Sequence, residues 1–185
     1  MPPRRRAAIE REAQDILDRF LITDPPVDVK TVAERLDYRV VLKFFDEADL
    51  SGTVMRDTRG VVTIGINTLH AQVRQRFSIA HEIGHAWLHL ARVRQEAFFV
   101  DPPAGVFFRD SNASRGEDLK EIEANQFAAG LLMPSHLIGG CLTALAGSQK
   151  KLTIDTAVSE LSTRFGVSTQ AMRFRLVTLG FIEPE

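Results

Sequence analysis

Two histidines and a glutamate, His81, Glu82 and His85, stand in the spacing H-E-x-x-H. On a helix, positions 81 and 85 lie one turn apart on the same face. Their imidazoles can then close on one tetrahedral Zn²⁺, one ion per chain. Glu82 is rotated by about a third of a turn, so it can reach a water on the metal without ligating the metal itself. This is the chemistry of a zinc hydrolase with Glu82 as the base. The flanking Phe77, Ile79, Ala80, Ile83, Gly84, Trp87 and Leu88 are largely apolar, which predicts a buried helix. Ionisable groups on a buried helix need partners, and a metal would supply one.

Two histidines need a third protein ligand. His89 shares their face but lies eight residues from His81, about 12 Å along the axis, too far for one helix to bring all three to one ion. It reads as a core or supporting histidine. A metzincin would carry glycine at 88 and histidine at 91; Leu88 and Ala91 stand there. A carboxylate from elsewhere is the remaining source, and the predicted helix 118–132 offers Glu121 and Glu123. Its apolar residues Ala124, Phe127, Ala128, Leu131 and Leu132 set the inward direction. Glu121 lies about 60° from that direction and Glu123 about 100°. The wheel favours Glu121, with Glu123 as the alternative and as a solvated side chain otherwise. Asn125, one turn above Glu121, is placed to orient a ligand histidine.

The elements that position these residues follow from pattern and punctuation. Ile9, Ala13, Ile16, Leu17, Phe20 and Leu21 repeat at helical spacing over 5–22, stopped by Thr23-Asp-Pro-Pro26. Asp28 can cap a short second helix through Leu36, with Asp37 at the position where glycine or asparagine often ends one. Residues 39–45 read as a strand. Gly52–Arg56 and Val61–Asn67 flank Asp57–Gly60 as a hairpin. The second of these strands is either an internal strand or an edge strand able to align an extended substrate by β-addition. The H-E-x-x-H helix is predicted over about 70–91. A long connection, 92–117, with its Phe98-Phe99 and Phe107-Phe108 pairs, could flank a cleft. Beyond the 118–132 helix, Ser135 can cap a helix to about Leu145. Residues 146–151 are a polar break, and 153–180 read as helix, turn at Gly166, helix. The expected class is α+β: a small antiparallel or mixed sheet on a mainly helical body, residues 1–148, with a helix-turn-helix-like segment at 149–185.

Composition narrows the function classes. The chain has 185 residues, 23 basic and 24 acidic side chains and a net charge of −1, so bulk charge leaves no nucleic-acid footprint. Arg4-Arg5-Arg6 is a local exception that reads as a solvated helix start. The single cysteine, Cys141, excludes an intrachain disulfide and a cysteine-built zinc site. No apolar run approaches the roughly 18 residues of a membrane span, and acidic residues interrupt any signal-like h-region. A cytoplasmic location with no membrane partner is expected.

The blocks Arg76-Phe-Ser-Ile-Ala-His-Glu-Ile-Gly-His85 and Glu121-Ile-Glu-Ala-Asn-Gln-Phe-Ala-Ala-Gly-Leu-Leu-Met-Pro134 resemble the ImmA/IrrE family of zinc metallo-endopeptidases. The resemblance covers most of the chain from about residue 28. It implies a zincin-like, gluzincin-type domain in which His81, His85 and the glutamate four residues before the asparagine, Glu121, are the metal ligands. It also implies a protein substrate, a helix-turn-helix (XRE-type) transcriptional repressor whose inactivation derepresses stress or mobile-element genes. The chain resembles the stand-alone type without an N-terminal helix-turn-helix domain. Asp37, where relatives commonly have glycine, is a departure with no evident catalytic meaning.

Hydrolysis would also need an electrophile beside the oxyanion, for which Tyr38, His70, Arg76, His89 and His136 are candidates. A different class of function starts from the tail. Its second helix carries Arg173 and Arg175 and resembles a DNA-reading helix. The near-neutral charge and the aliphatic residues between those arginines argue against direct DNA binding. An antirepressor that binds without cutting is the other alternative.

Overall fold

The computed structural model describes residues 1–45, 50–91, 97–100, 113–148 and 152–184. Helix α1, Pro3–Arg19, starts on proline, whose fixed φ suits a first turn. It buries Ile9, Ala13, Ile16 and Leu17. Helix α2, Val29–Arg35, is capped as expected: the Asp28 side chain accepts from the amides of Lys30 and Thr31. Asp37 follows it at φ 60°, the left-handed conformation that glycine or asparagine would adopt at lower cost.

Strands β1 (Tyr38–Lys43), β2 (Gly52–Arg56), β3 (Val62–Asn67) and β4 (Ala97–Val100) form one mixed sheet in the order β1-β3-β2-β4. The β2–β3 hairpin turns through Gly60 at φ 87°. β1 runs parallel to β3, and β4 antiparallel to β2. This order decides between the two readings of Val61–Asn67. β3 is internal, with β1 on one side and β2 on the other, so it has no free edge to offer a substrate. Of the 92–117 connection, residues 92–96 and 101–112, with the Phe107-Phe108 pair, lie outside the described residues.

Helix α3, Gln72–His85, packs on the sheet and runs straight into a π-helical turn, Ala86–Leu90. There the Ala91 amide reaches back five residues to the Ala86 carbonyl, the hydrogen-bond step of a π turn. Helix α4, Ala113–Leu132, begins five residues earlier than the apolar pattern indicates. α5 (Ser135–Ser148), α6 (Ile154–Phe165) and α7 (Thr169–Thr178) complete the chain. Thr153 and Ser168 cap the last two helices, and Gly166 at φ 64° turns between them. One buried apolar cluster runs through Ile9, Val32, Ile64, Ile83, Phe127, Ile138, Leu161 and Leu176. It thus joins α1, the sheet, the central helices and the last helix pair. No single helix among the described residues is long and apolar enough to cross a membrane.

Candidate metal centre

The centre forms where α3 and α4 cross, and a glycine permits the crossing. A Cβ on Gly84 would lie 3.1 Å from Phe127 Cδ1 and 3.2 Å from both the Cα and the carbonyl oxygen of Ala124. Two backbones this close need small residues at the contact. The approach brings the inner face of α3, with His81 and His85, against Glu121 of α4.

The donor atoms converge. His81 Nε2 and His85 Nε2 lie 2.9 Å apart. Glu121 Oε2 is 3.2 Å from His81 Nε2, and Oε1 is 3.1 Å from His85 Nε2. His85 is fully buried, His81 nearly so, and Glu121 is partly open to solvent. Among the described residues these three form the group of histidine, cysteine and acidic side chains able to hold a metal ion. The donor set fits a metal ion: two imidazole nitrogens and a carboxylate facing one point need a proton or a cation among them. Burial opposes ionisation of Glu121. Hydrogen bonds and charge from His81 and His85 outweigh it and hold the carboxyl down at about 2.

Supporting contacts fix the ligand geometry. His81 Nδ1 donates to Asn125 Oδ1 at 3.0 Å, which leaves Nε2 to face the centre. Glu82 is fully buried, and its carboxylate lies against the backbone of Gly52 at the start of β2. His89 stays outside the group, its Nε2 3.4 Å from the Lys120 carbonyl. Burial, then the neighbouring His85, pushes its imidazole down to about 4, so it is neutral at physiological pH.

Glu123 is not a solvated side chain. Arg5 of α1 holds it through two bonds of 2.7 and 2.6 Å, with 16% of the side chain exposed. The sequence reading missed Arg5 as its partner because a contact across 118 residues leaves no local signal. Gly84 and Gly52 were also missed as close-approach positions. Isolated glycines inside a helix and a strand are the signal that could have marked them.

The five electrophile candidates separate. Arg76 is committed elsewhere: its guanidinium donates to the carbonyls of Val27, Phe165 and Gly166, which fastens α3 to the end of α6. His70 Nε2 lies 3.3 Å from the Leu50 carbonyl. Tyr38 begins β1, the edge strand two positions from β2, and burial pushes its phenol up. His136 is exposed in the first turn of α5.

The arginines of the last helix do not form a basic face. Arg175 is 1% exposed. Its guanidinium donates to Glu10 of α1 at 2.5 and 2.8 Å and to the Met133 carbonyl at 3.0 Å. Arg173 pairs with Asp155.

The profile of the family described as the IrrE N-terminal-like domain matches residues 33–177. No curated protein matches the sequence. Among solved structures, a Mycobacterium tuberculosis transcriptional regulator is similar, with a TM-score of 0.59 at 17% identity over 92% of this chain. The match covers 46% of that protein, so this chain spans less than half of its length. At that identity the likeness concerns the fold.

Proposed function

The chain belongs to the ImmA/IrrE family, through its IrrE N-terminal-like peptidase domain, and from that premise we propose that it is a zinc-dependent endopeptidase acting on a helix-turn-helix transcriptional repressor. The observation that carries the reading is the convergence of His81, His85 and Glu121 on one point, beside a buried glutamate that follows the first histidine. In this reading His81, His85 and Glu121 hold one zinc ion. When bound, the ion supplies a Lewis acid for the scissile carbonyl and an acidified water. Asn125 holds the His81 ring so that Nε2 faces the centre. Glu82 accepts the proton of the attacking water and returns it to the leaving amine. The described tail, residues 152–184, packs into the same apolar cluster through Val158, Leu161 and Leu176; Arg175, buried against Glu10, is withdrawn from the phosphate contact a DNA reader would make with it.

Metal analysis of the wild type beside Glu121→Ala and Glu123→Ala tests the site. One zinc per chain is expected in the wild type and in Glu123→Ala, and loss of zinc in Glu121→Ala. A wild type that takes up no zinc when it is supplied refutes the reading. Cleavage is then tested by incubating the zinc-loaded protein with purified helix-turn-helix repressors, one at a time. Glu82→Gln should keep the metal and lose about 10²–10⁴-fold in rate. A repressor inactivated equally well by Glu82→Gln would identify an antirepressor that works by binding.

A further inference from the structure

We propose that Gly52 is a positioning residue that sets where the Glu82 carboxylate lies beside the metal triad. Its catalytic consequence rests on the peptidase reading; its structural basis does not.

Gly52 opens β2, paired with Ile66 of β3. It is not among the glycines at positive φ, which are Gly60, Gly166 and Gly180 among the described residues. The backbone at position 52 therefore does not call for glycine, and a strand ordinarily prefers a side chain to pack. What calls for glycine is the neighbour. A Cβ at position 52 would lie 2.6 Å from Glu82 Oε1, 3.2 Å from its Cγ and 3.3 Å from its Cδ. The first distance is below any real contact, and the other two are tight, so a side chain at position 52 would have to displace the end of Glu82.

The strand has little freedom to retreat. The buried Asn67, at the end of β3, donates its amide to the Ser51 carbonyl at 3.1 Å and its side chain to the Leu50 carbonyl at 2.8 Å. His70 approaches the same Leu50 carbonyl, and the Arg74 guanidinium donates to Ser51 Oγ at 2.8 Å. Residues 50–52 are thus pinned from β3 and from the first turn of α3, the helix that carries Glu82. An alanine at 52 would leave the strand in place and displace the carboxylate.

The test is a melting-temperature cycle on the full, zinc-loaded chain, with Gly52→Ala introduced into the wild type, Glu82→Gln and Glu82→Ala. The clash is steric, so the wild type and Glu82→Gln should each lose about 2–4 °C. In Glu82→Ala, where nothing opposes the new methyl, the same substitution should be neutral or raise the melting temperature, because alanine restricts the unfolded chain. An equal loss in all three backgrounds would show that the strand itself demands glycine and overturn the proposal. The positioning role is read with a quenched-fluorescent peptide library. Gly52→Ala should retain one zinc per chain and show about 10–100-fold lower turnover at saturating peptide, since a displacement on the order of 1 Å costs that much, with KM nearly unchanged. Unchanged turnover alongside a positive melting cycle also overturns it. A wild type that turns over nothing counts against the peptidase reading, and the melting cycle, which needs no substrate, still decides Gly52.

Discussion

Helix α4 serves two polar clusters, each with a buried base at its heart, that are resolved in opposite ways. Toward α3 it presents Glu121 and Asn125; toward α1 and α7 it presents Gln126, one residue further on. At the second cluster every charge meets its opposite. Glu10 accepts two bonds from Arg175 and one from Gln126, and Arg175 Nε donates to the Met133 carbonyl. At the first cluster two imidazole nitrogens and a carboxylate turn toward a common point. A buried network that closes on itself ties helices together; one that aims electron pairs at a single point is suited to a cation. Each sets a buried base, His85 or Arg175, against an acidic residue with 27% of its side chain exposed, so burial alone does not tell them apart. The direction of the electron pairs does.

The largest break in that contrast should come from Arg175→Met. Removing the guanidinium leaves Glu10 without its counter-charge. The expected cost is about 3 kcal/mol, at the lower end for a buried pair because Glu10 keeps some exposure. Urea unfolding measures it, and zinc stoichiometry in the folded variant should stay at one. Loss of zinc with no loss of stability would exchange the roles of the two clusters. Gly84→Ala tests the other side. Prising α3 from α4 should cost about 2 kcal/mol by thermal unfolding and also weaken zinc binding in a chelator competition, so here the two readouts move together. A variant that lost stability but bound zinc as tightly would show that the crossing distance does not set the site. Asn125→Ala sharpens the comparison from within the centre. It should weaken zinc by about 10–100-fold while leaving the apo protein's unfolding nearly unchanged, because the side chain acts on a ligand ring rather than on the core. Asp28→Ala, remote from both clusters, is the smallest. It removes the α2 cap at a cost of about 1 kcal/mol, and any change in zinc affinity would mean that the centre senses general stability.

Much of the local structure was legible in the sequence because short-range chemistry dictates it. Asp28 caps α2, Asp37 takes the left-handed conformation, Gly60 turns the hairpin and Gly166 turns between α6 and α7, each by rules that span four residues or fewer. The preference for Glu121 over Glu123 came from angles on one helix, and the structure places Glu121 against the two histidines. What stayed hidden depends on partners distant in sequence. The position of β3 inside the sheet follows from β1 crossing over to pair with it in parallel, which no alternation pattern encodes. Nothing near Arg175 in the sequence foretells its burial against Glu10, and Glu123 looked solvated for want of Arg5. The π turn after His85 also left no mark in the apolar spacing.

The grip of Arg76 on the carbonyls of Phe165 and Gly166 has a consequence in time. Those carbonyls lie about 90 residues downstream of the arginine, and Glu10 meets its guanidinium partner 165 residues later. During synthesis the chain emerges from its N-terminus at a finite rate, so α3, with both histidines, leaves the ribosome long before the residues that seat it. A growing chain stopped short of residue 166 would carry the complete H-E-x-x-H run on a helix with no anchor at α6 and with the charge of Glu10 still unmet. The seating of α3 is therefore completed only after residue 166 has been made, and the Glu10 pair only after residue 175.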